Sequence, residues 1–189
     1  QVVLVDAGDL LQGSPFAAFL AREPRSPHPI VAAMNAMGYD AAAPGNHDFD
    51  FGVPFLLSAA AGAKFRYVSG NIWTVPADTL LFPSHAVIRR GPIRVAVGGL
   101  TTPGVMLWDK QQLAGQARVA SIASSAPAVA RSMRRDADLS VMLIHSGLSA
   151  PSSYDTTGIG LENAAAGLAR MPDAPDLVNR WVPRGGSLR

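Results

Sequence analysis

Short apolar runs of strand type alternate with amphipathic stretches along the chain, and this alternation confines the fold to layered α/β architectures rather than a helical bundle or an all-strand sandwich. Strand-type runs occupy residues 2–5, 67–69, 87–90, 93–100 and 139–144, and Gly91-Pro92 places a tight turn between two of them. Helical spacing covers residues 30–37, started by Pro29 and stopped by Gly38, residues 54–61 ahead of Gly62, and residues 127–135 and 160–169. The Pro-rich segments 24–29 and 74–83 are expected to be surface loops. The first residues enter a β-type run with no initiator Met or basic leader before it, so the sequence is expected to open inside a domain. Residues 177–189 lose the upstream periodicity and are expected to form an irregular or aberrant tail behind a partial domain over residues 1–176.

The chain has 189 residues, enough for one domain with a sizeable core, and at 48% hydrophobic and 16% charged residues it is too apolar for a disordered chain. No run of about 18 apolar residues is present, so no helix-type segment spans a bilayer. With no Cys there is no disulfide, thiolate ligand or Cys nucleophile, and any metal must be held by His, Asp, Glu or Asn. The formal charge is only +2, and the densest basic stretch, Arg131 to Arg135, reads as a solvated helix end favoured by the helix dipole. A nucleic-acid polymer is not expected as a partner.

The polar residues of interest stand just after the apolar runs. Asp9 follows residues 2–5, Asn46 and His47 follow residues 40–43, and His145 directly follows residues 139–144. Strand ends in open α/β sheets converge on one edge, so groups distant in sequence can meet there. Asp9 offers a carboxylate able to bridge divalent cations, Asn46 a neutral amide oxygen, and His145 an imidazole nitrogen suited to Zn or Mn. His47 and Asp50, three apart, allow the carboxylate to orient the imidazole and favour its charged form, which can protonate a leaving oxygen. The competing readings are ordinary ones: an Asx turn at Asp9 and around Asn46, and a buried structural histidine at 145. His28 and His85 lie in Pro-containing segments expected to be loops and receive no role. There is no Gly-x-x-x-x-Gly-Lys phosphate loop, no Gly-x-Gly-x-x-Gly and no complete nucleophile elbow, which argues against serine-hydrolase chemistry.

Three segments together carry a resemblance: Gly8-Asp9 with Gln12-Gly13-Ser14-Pro15, the stretch Gly45-Asn46-His47-Asp48-Phe49-Asp50-Phe51-Gly52, and His145-Ser146-Gly147. The chain resembles the calcineurin-like metallophosphoesterases of the 5'-nucleotidase type. Met106-Leu107-Trp108-Asp109-Lys110, Leu113-Ala114-Gly115 and Glu162-Asn163-Ala164-Ala165 look most like the bacterial 2',3'-cyclic-nucleotide 2'-phosphodiesterase/3'-nucleotidases.

The resemblance implies an α-β-β-α sandwich, incomplete at both ends here, with two divalent metal ions such as Zn or Mn and a metal-activated water attacking phosphorus. Carried onto matching positions, Asp9 bridges the metals, Asn46 and His145 ligate one of them, and His47 with Asp50 forms the catalytic dyad. The implied substrates are nucleoside 2',3'-cyclic phosphates and 3'-nucleotides. A 5'-nucleotidase, a more remote thiosulfohydrolase relative, and a catalytically inactive binding or structural module remain as alternatives. The family's Asp-x-His strand is expected ahead of Gln1, and Val178-Asn179-Arg180-Trp181 stands where its Gly-His-x-His segment is expected. With those ligand motifs missing, the chain is expected to bind metal weakly and turn over little substrate, and the family's C-terminal nucleotide-binding domain is likewise expected outside this sequence. The resemblance also implies a periplasmic or secreted location.

Overall fold

The computed structural model of the chain describes residues 1–23 and 25–180. In chain order the elements are β1 (Val5–Asp6), α1 (Pro15–Arg22), α2 (Pro29–Met37), β2 (Ala41–Ala42), a 3-10 turn (His47–Phe49), α3 (Val53–Ala61), β3 (Arg66–Tyr67), β4 (Ile72–Thr74) and β5 (His85–Arg90). These are followed by β6 (Ile93–Thr101), α4 (Val105–Trp108), α5 (Lys110–Leu113), β7 (Ala117–Val119), α6 (Ile122–Asp136), β8 (Leu139–His145), α7 (Ala165–Leu168) and β9 (Leu177–Arg180).

Two sheets lie face to face. One is all parallel in the order β1-β2-β3; the other has the order β5-β6-β8-β9, antiparallel only between β5 and β6. The period-2 alternation of β6 and β8 divides their side chains between two cores. Val95, Val97 and Leu143 meet Ala41, Ala43 and Val68 between the sheets, while Ala96, Leu100, Met142 and Ile144 meet Ile122, Ala126, Val129 and Met133 of α6. A third core buries Val31, Met34, Phe49 and Leu56, from α2, α3 and the turn ahead of α3, behind the β1-β2-β3 sheet. Three cores separated by two sheets make the expected α-β-β-α sandwich. At the edge where the parallel strands begin, the Asp40 carboxylate takes the Leu4 N–H at 2.9 Å and the Arg90 guanidinium at 2.5 Å, tying one sheet to the other.

Several expectations shift. The irregular tail does not begin at residue 177: Leu177–Arg180 forms β9, parallel to β8, because Asp176 takes the Ser140 N–H and hydroxyl, both at 2.7 Å, and sets the strand beside it. The remainder of that tail, 181–189, lies outside the described residues, as does Pro24 of the first Pro-rich loop. The helix expected over 160–169 is only Ala165–Leu168. Upstream of it the Glu162 N–H goes to Ser152 Oγ at 3.0 Å and the Ala164 N–H to Ser146 Oγ at 2.9 Å, so side chains take the donors a helix would use. The helix expected from Pro127 starts at Ile122 and runs through the proline, whose missing N–H forfeits one bond in a helix whose apolar face is fully packed. His85 is the first residue of β5 rather than a loop residue.

Candidate active site

β1 ends at Asp6 and the chain turns through Ala7, Gly8 and Asp9; β2 runs into Pro44, Gly45 and Asn46; β8 ends on His145 itself. Asp9 sits in the left-handed region at φ +67°, uncommon for a residue with a side chain though tolerated by Asp. A Cβ on Gly8 would lie 2.2 Å from the Gly45 nitrogen, and one on Gly45 would lie 2.3 Å from Asp9 Oδ1 and 2.7 Å from the His145 ring. Glycine at both positions is therefore what lets the two loops and the β8 end close on one another.

The loops are braced by a buried carboxylate. Asp48 accepts the backbone N–H groups of Gly45, Leu10 and Leu11, each at 2.8 Å, and of Asp9 at 3.1 Å. Burial pushes its carboxyl up, and the Gly45 and Leu11 amides pull it back. On the other sheet the Thr101 hydroxyl donates to the Pro44 carbonyl at 2.6 Å, and Asn71 clasps the Thr101 N–H and carbonyl at 2.9 and 2.7 Å.

The structure brings Asp9, Asn46 and His145 together. His145 Nε2 lies 2.9 Å from Asn46 Oδ1 and 3.4 Å from Asp9 Oδ2. Its Nδ1 lies 2.8 Å from the Ala7 carbonyl, which can only accept, so Nδ1 carries the proton and Nε2 is the nitrogen turned to the two oxygens. A lone-pair nitrogen and a carboxylate turned towards each other beside an amide suit a cation placed between them. Carboxylate, amide and imidazole form a donor set that fits a divalent ion of borderline character. Among the described residues no group of three or more His, Cys, Asp and Glu is gathered as a metal site, since Asn46 supplies the third donor here; a second cation would find only the Asp9 carboxylate to share.

His47 and Asp50 flank this trio. His47 Nδ1 lies 3.1 Å from Asp50 Oδ2, and its backbone N–H donates to Asp9 Oδ1 at 3.0 Å. Burial alone lowers the His47 pKa, but the Asp50 hydrogen bond and the charges of Asp9, Asp50 and Asp109 outweigh it and hold the imidazole above its ordinary value. For Asp9, burial is opposed by the His145 hydrogen bond and charge, leaving the carboxyl below the usual range. The cavity in front of these groups has a volume of about 700 Å³, and Trp108, Asp109, Glu162 and Asn163 complete its wall.

Asp48 and Asp109 carry parts of the site that reading the sequence left without a role. Burial pushes the Asp109 carboxyl up to about 6, and the Asp50 charge and a hydrogen bond with Asp50 act in the same direction. The signal for Asp109, Glu162 and Asn163 was the family-like motifs around them; Asp48 lay inside the most informative stretch with nothing to mark it as a brace.

No protein-family model matches the chain. It is 34% identical over 183 residues to a 2',3'-cyclic-nucleotide 2'-phosphodiesterase/3'-nucleotidase of Salmonella typhimurium, a match covering 90% of this chain and 28% of that protein. Among solved structures it superposes on the calcineurin-like phosphoesterase YfkN from Bacillus subtilis with a TM-score of 0.84 at 30% identity, covering 94% of this chain and 57% of that one. A putative 5'-nucleotidase from Staphylococcus aureus gives a TM-score of 0.76 at 26% identity, over 94% and 35% of the two chains. The chain thus spans less than a third of the length of the Salmonella relative. Shared identity across nearly all of this chain, with the same layered sandwich, places it in the calcineurin-like phosphoesterases.

Proposed function

We propose that the chain carries the metal-holding part of a phosphoesterase that hydrolyses nucleoside 2',3'-cyclic phosphates and 3'-nucleotides with two divalent cations. The observation that carries this reading is the convergence of Asp9, Asn46 and His145 within 3.4 Å on a strand-end edge, beside the His47–Asp50 pair. Asp9, Asn46 and His145 are the residues that would hold metal, with Asp9 shared between two ions. A bound divalent cation supplies Lewis acidity that makes hydroxide accessible near neutral pH and offsets phosphoryl charge.

The chain's own residues do the rest. Asp50 holds the proton of His47 Nδ1, which leaves Nε2 to donate to a phosphoryl oxygen or to hand its proton to the departing ribose oxygen. The raised basicity of the imidazole keeps that proton available at neutral pH. Trp108 and Asn163 line the same cavity as His47 and Asp50 and would border a nucleoside bound there. The cyclic and 3'-nucleotide preference rests on the Salmonella relative, and the 5'-nucleotidase reading on the Staphylococcus one. The family resemblance adds a periplasmic or secreted location.

The test is phosphate release from 2',3'-cyclic AMP, 3'-AMP and 5'-AMP by the chain supplied with Zn²⁺ or Mn²⁺. Slow turnover of the first two, reduced about 10²–10⁴-fold in His47→Ala, supports the reading. Release from 5'-AMP alone moves it to a 5'-nucleotidase, and turnover indifferent to His47→Ala removes the dyad. Because described residues complete the ligand set of neither ion, calorimetry is expected to find weak metal binding; tight uptake of two ions would overturn that expectation.

A further inference from the structure

On the far side of the β5-β6-β8-β9 sheet, a groove of about 560 Å³ runs between α6 and the segment around β4. It shares no lining residue with the cavity of the candidate active site. One wall is a face of α6, with Ser124, Ser125, Arg131, Ser132 and Arg135; the other holds Trp73, Leu80 and Ser84.

Three observations bear on what such a groove takes. Arg131 and Arg135 stand one helical turn apart and are exposed, and among the described residues no carboxylate pairs with either. The neighbouring acid, Asp136, is turned to His85 Nε2 at 3.0 Å, and no Asp or Glu lines the groove. Ser124 already donates to the Ser121 carbonyl at 2.9 Å, Ser84 lies 3.1 Å from His85 Nδ1, and Arg135 donates to Ser132 Oγ at 3.3 Å, so the groove's unmatched feature is the pair of guanidiniums with no carboxylate, the pattern suited to a phosphate or carboxylate. Opposite it, the half-buried Trp73 and Leu80 offer a flat apolar surface. The Trp73 ring carries the Arg118 guanidinium at 5.1 Å from its centroid, and Arg118 does not line the groove. The volume lies within the range of small-molecule pockets.

We propose that this groove is a second ligand site for a phosphomonoester bearing an aromatic ring, of the size of a nucleoside monophosphate, with the phosphate on Arg131 and Arg135 and the ring against Trp73. The inference stands apart from the hydrolytic reading and does not need it.

The probe is AMP, titrated calorimetrically into the metal-free 189-residue chain in EDTA, with adenosine and inorganic phosphate in parallel. The expected result is one AMP site, with adenosine and phosphate each at least about tenfold weaker, since each offers half of the contacts. Arg131→Gln with Arg135→Gln should weaken AMP by at least about tenfold. Both side chains are exposed, so the fold should persist, as far-ultraviolet circular dichroism will show. Trp73→Leu should weaken AMP while leaving phosphate unchanged, and His47→Ala should change neither. Absence of AMP binding up to millimolar concentration overturns the proposal. AMP binding that survives the double Arg substitution, or that is lost in His47→Ala, overturns it as well. Phosphate binding as tightly as AMP, or a loss of phosphate binding in Trp73→Leu, removes the ring contact from it.

Discussion

The two sheets hold their parts of the candidate site by different means. His145 stands at the end of a seven-residue strand between two neighbours, its orientation backed by a ladder of main-chain bonds and by α6 packed behind. Asp9 and Asn46 follow strands of two residues each, too short to aim anything by ladder alone. Their positions depend instead on Asp48, a single carboxylate gathering four N–H groups from two loops. Where regular structure is short, a buried polar contact replaces it, and such contacts are costly to break because every group left behind is unpaired.

The sharpest way to break this comparison is Asp48→Ala, which leaves four donors with no acceptor. The expected loss is on the order of 4 kcal/mol, read from the urea midpoint. Hydrogen exchange should show the amides of Leu10, Leu11 and Gly45 opening first while β6 and β8 stay protected. Uniform loss of protection across both sheets would mean that Asp48 braces the whole domain and not the loops. Met133→Ala tests the other side: it removes a fully buried side chain from the α6 core. It should cost roughly 3 kcal/mol, while whatever Zn²⁺ affinity calorimetry finds under folded conditions stays as it was. A stability change below about 1 kcal/mol would contradict the packed-ladder account.

Acid should separate the two halves more gently. His28 is buried against Phe55 with neither ring nitrogen bonded, and burial lowers its pKa from 6.5. The folded chain thus resists a proton that the unfolded chain accepts. Stability linked to His28 is fully present above pH 6.5 and is lost as pH falls below it toward the folded pKa. The slope is at most about 1.4 kcal/mol per pH unit. Comparing urea midpoints at pH 7.5 and 5.5 should show a smaller acid loss in His28→Leu; identical losses would remove His28 from the account. The smallest effect expected is Thr101→Val, which deletes the hydroxyl donating to Pro44 and should cost about 1 kcal/mol by the same measurement. No change at all would mean that the Asn46 loop is positioned without help from β6.

The same contrast explains what could be read from the residues alone. β6 and β8 announce themselves because a strand buried on both faces needs an unbroken apolar run. β1 and β3 overlap the apolar runs 2–5 and 67–69 by one residue each, since two-residue strands leave almost no periodicity to detect. β4 and β7 form a small two-stranded sheet apart from the two large ones, and α1 begins at a capped start, Ser14 and Pro15, with no long apolar periodicity behind it to announce a helix. Of the site, the donor residues were legible because Asn46, His47 and Asp50 sit in a mixture of side chains that a turn seldom needs. Asp48 shared that stretch, and its service to the backbone of a loop 37 residues away exists only once the chain has folded.

The hydrogen bond between the Ala7 carbonyl and the His145 ring spans 138 positions of the chain. During synthesis, Asp9 and Asn46 are both made long before their nitrogen partner exists, and the intervening strands must find their order before the three can meet. The meeting of these three side chains is therefore among the last events of folding, because it waits for β8 to take its place beside β6.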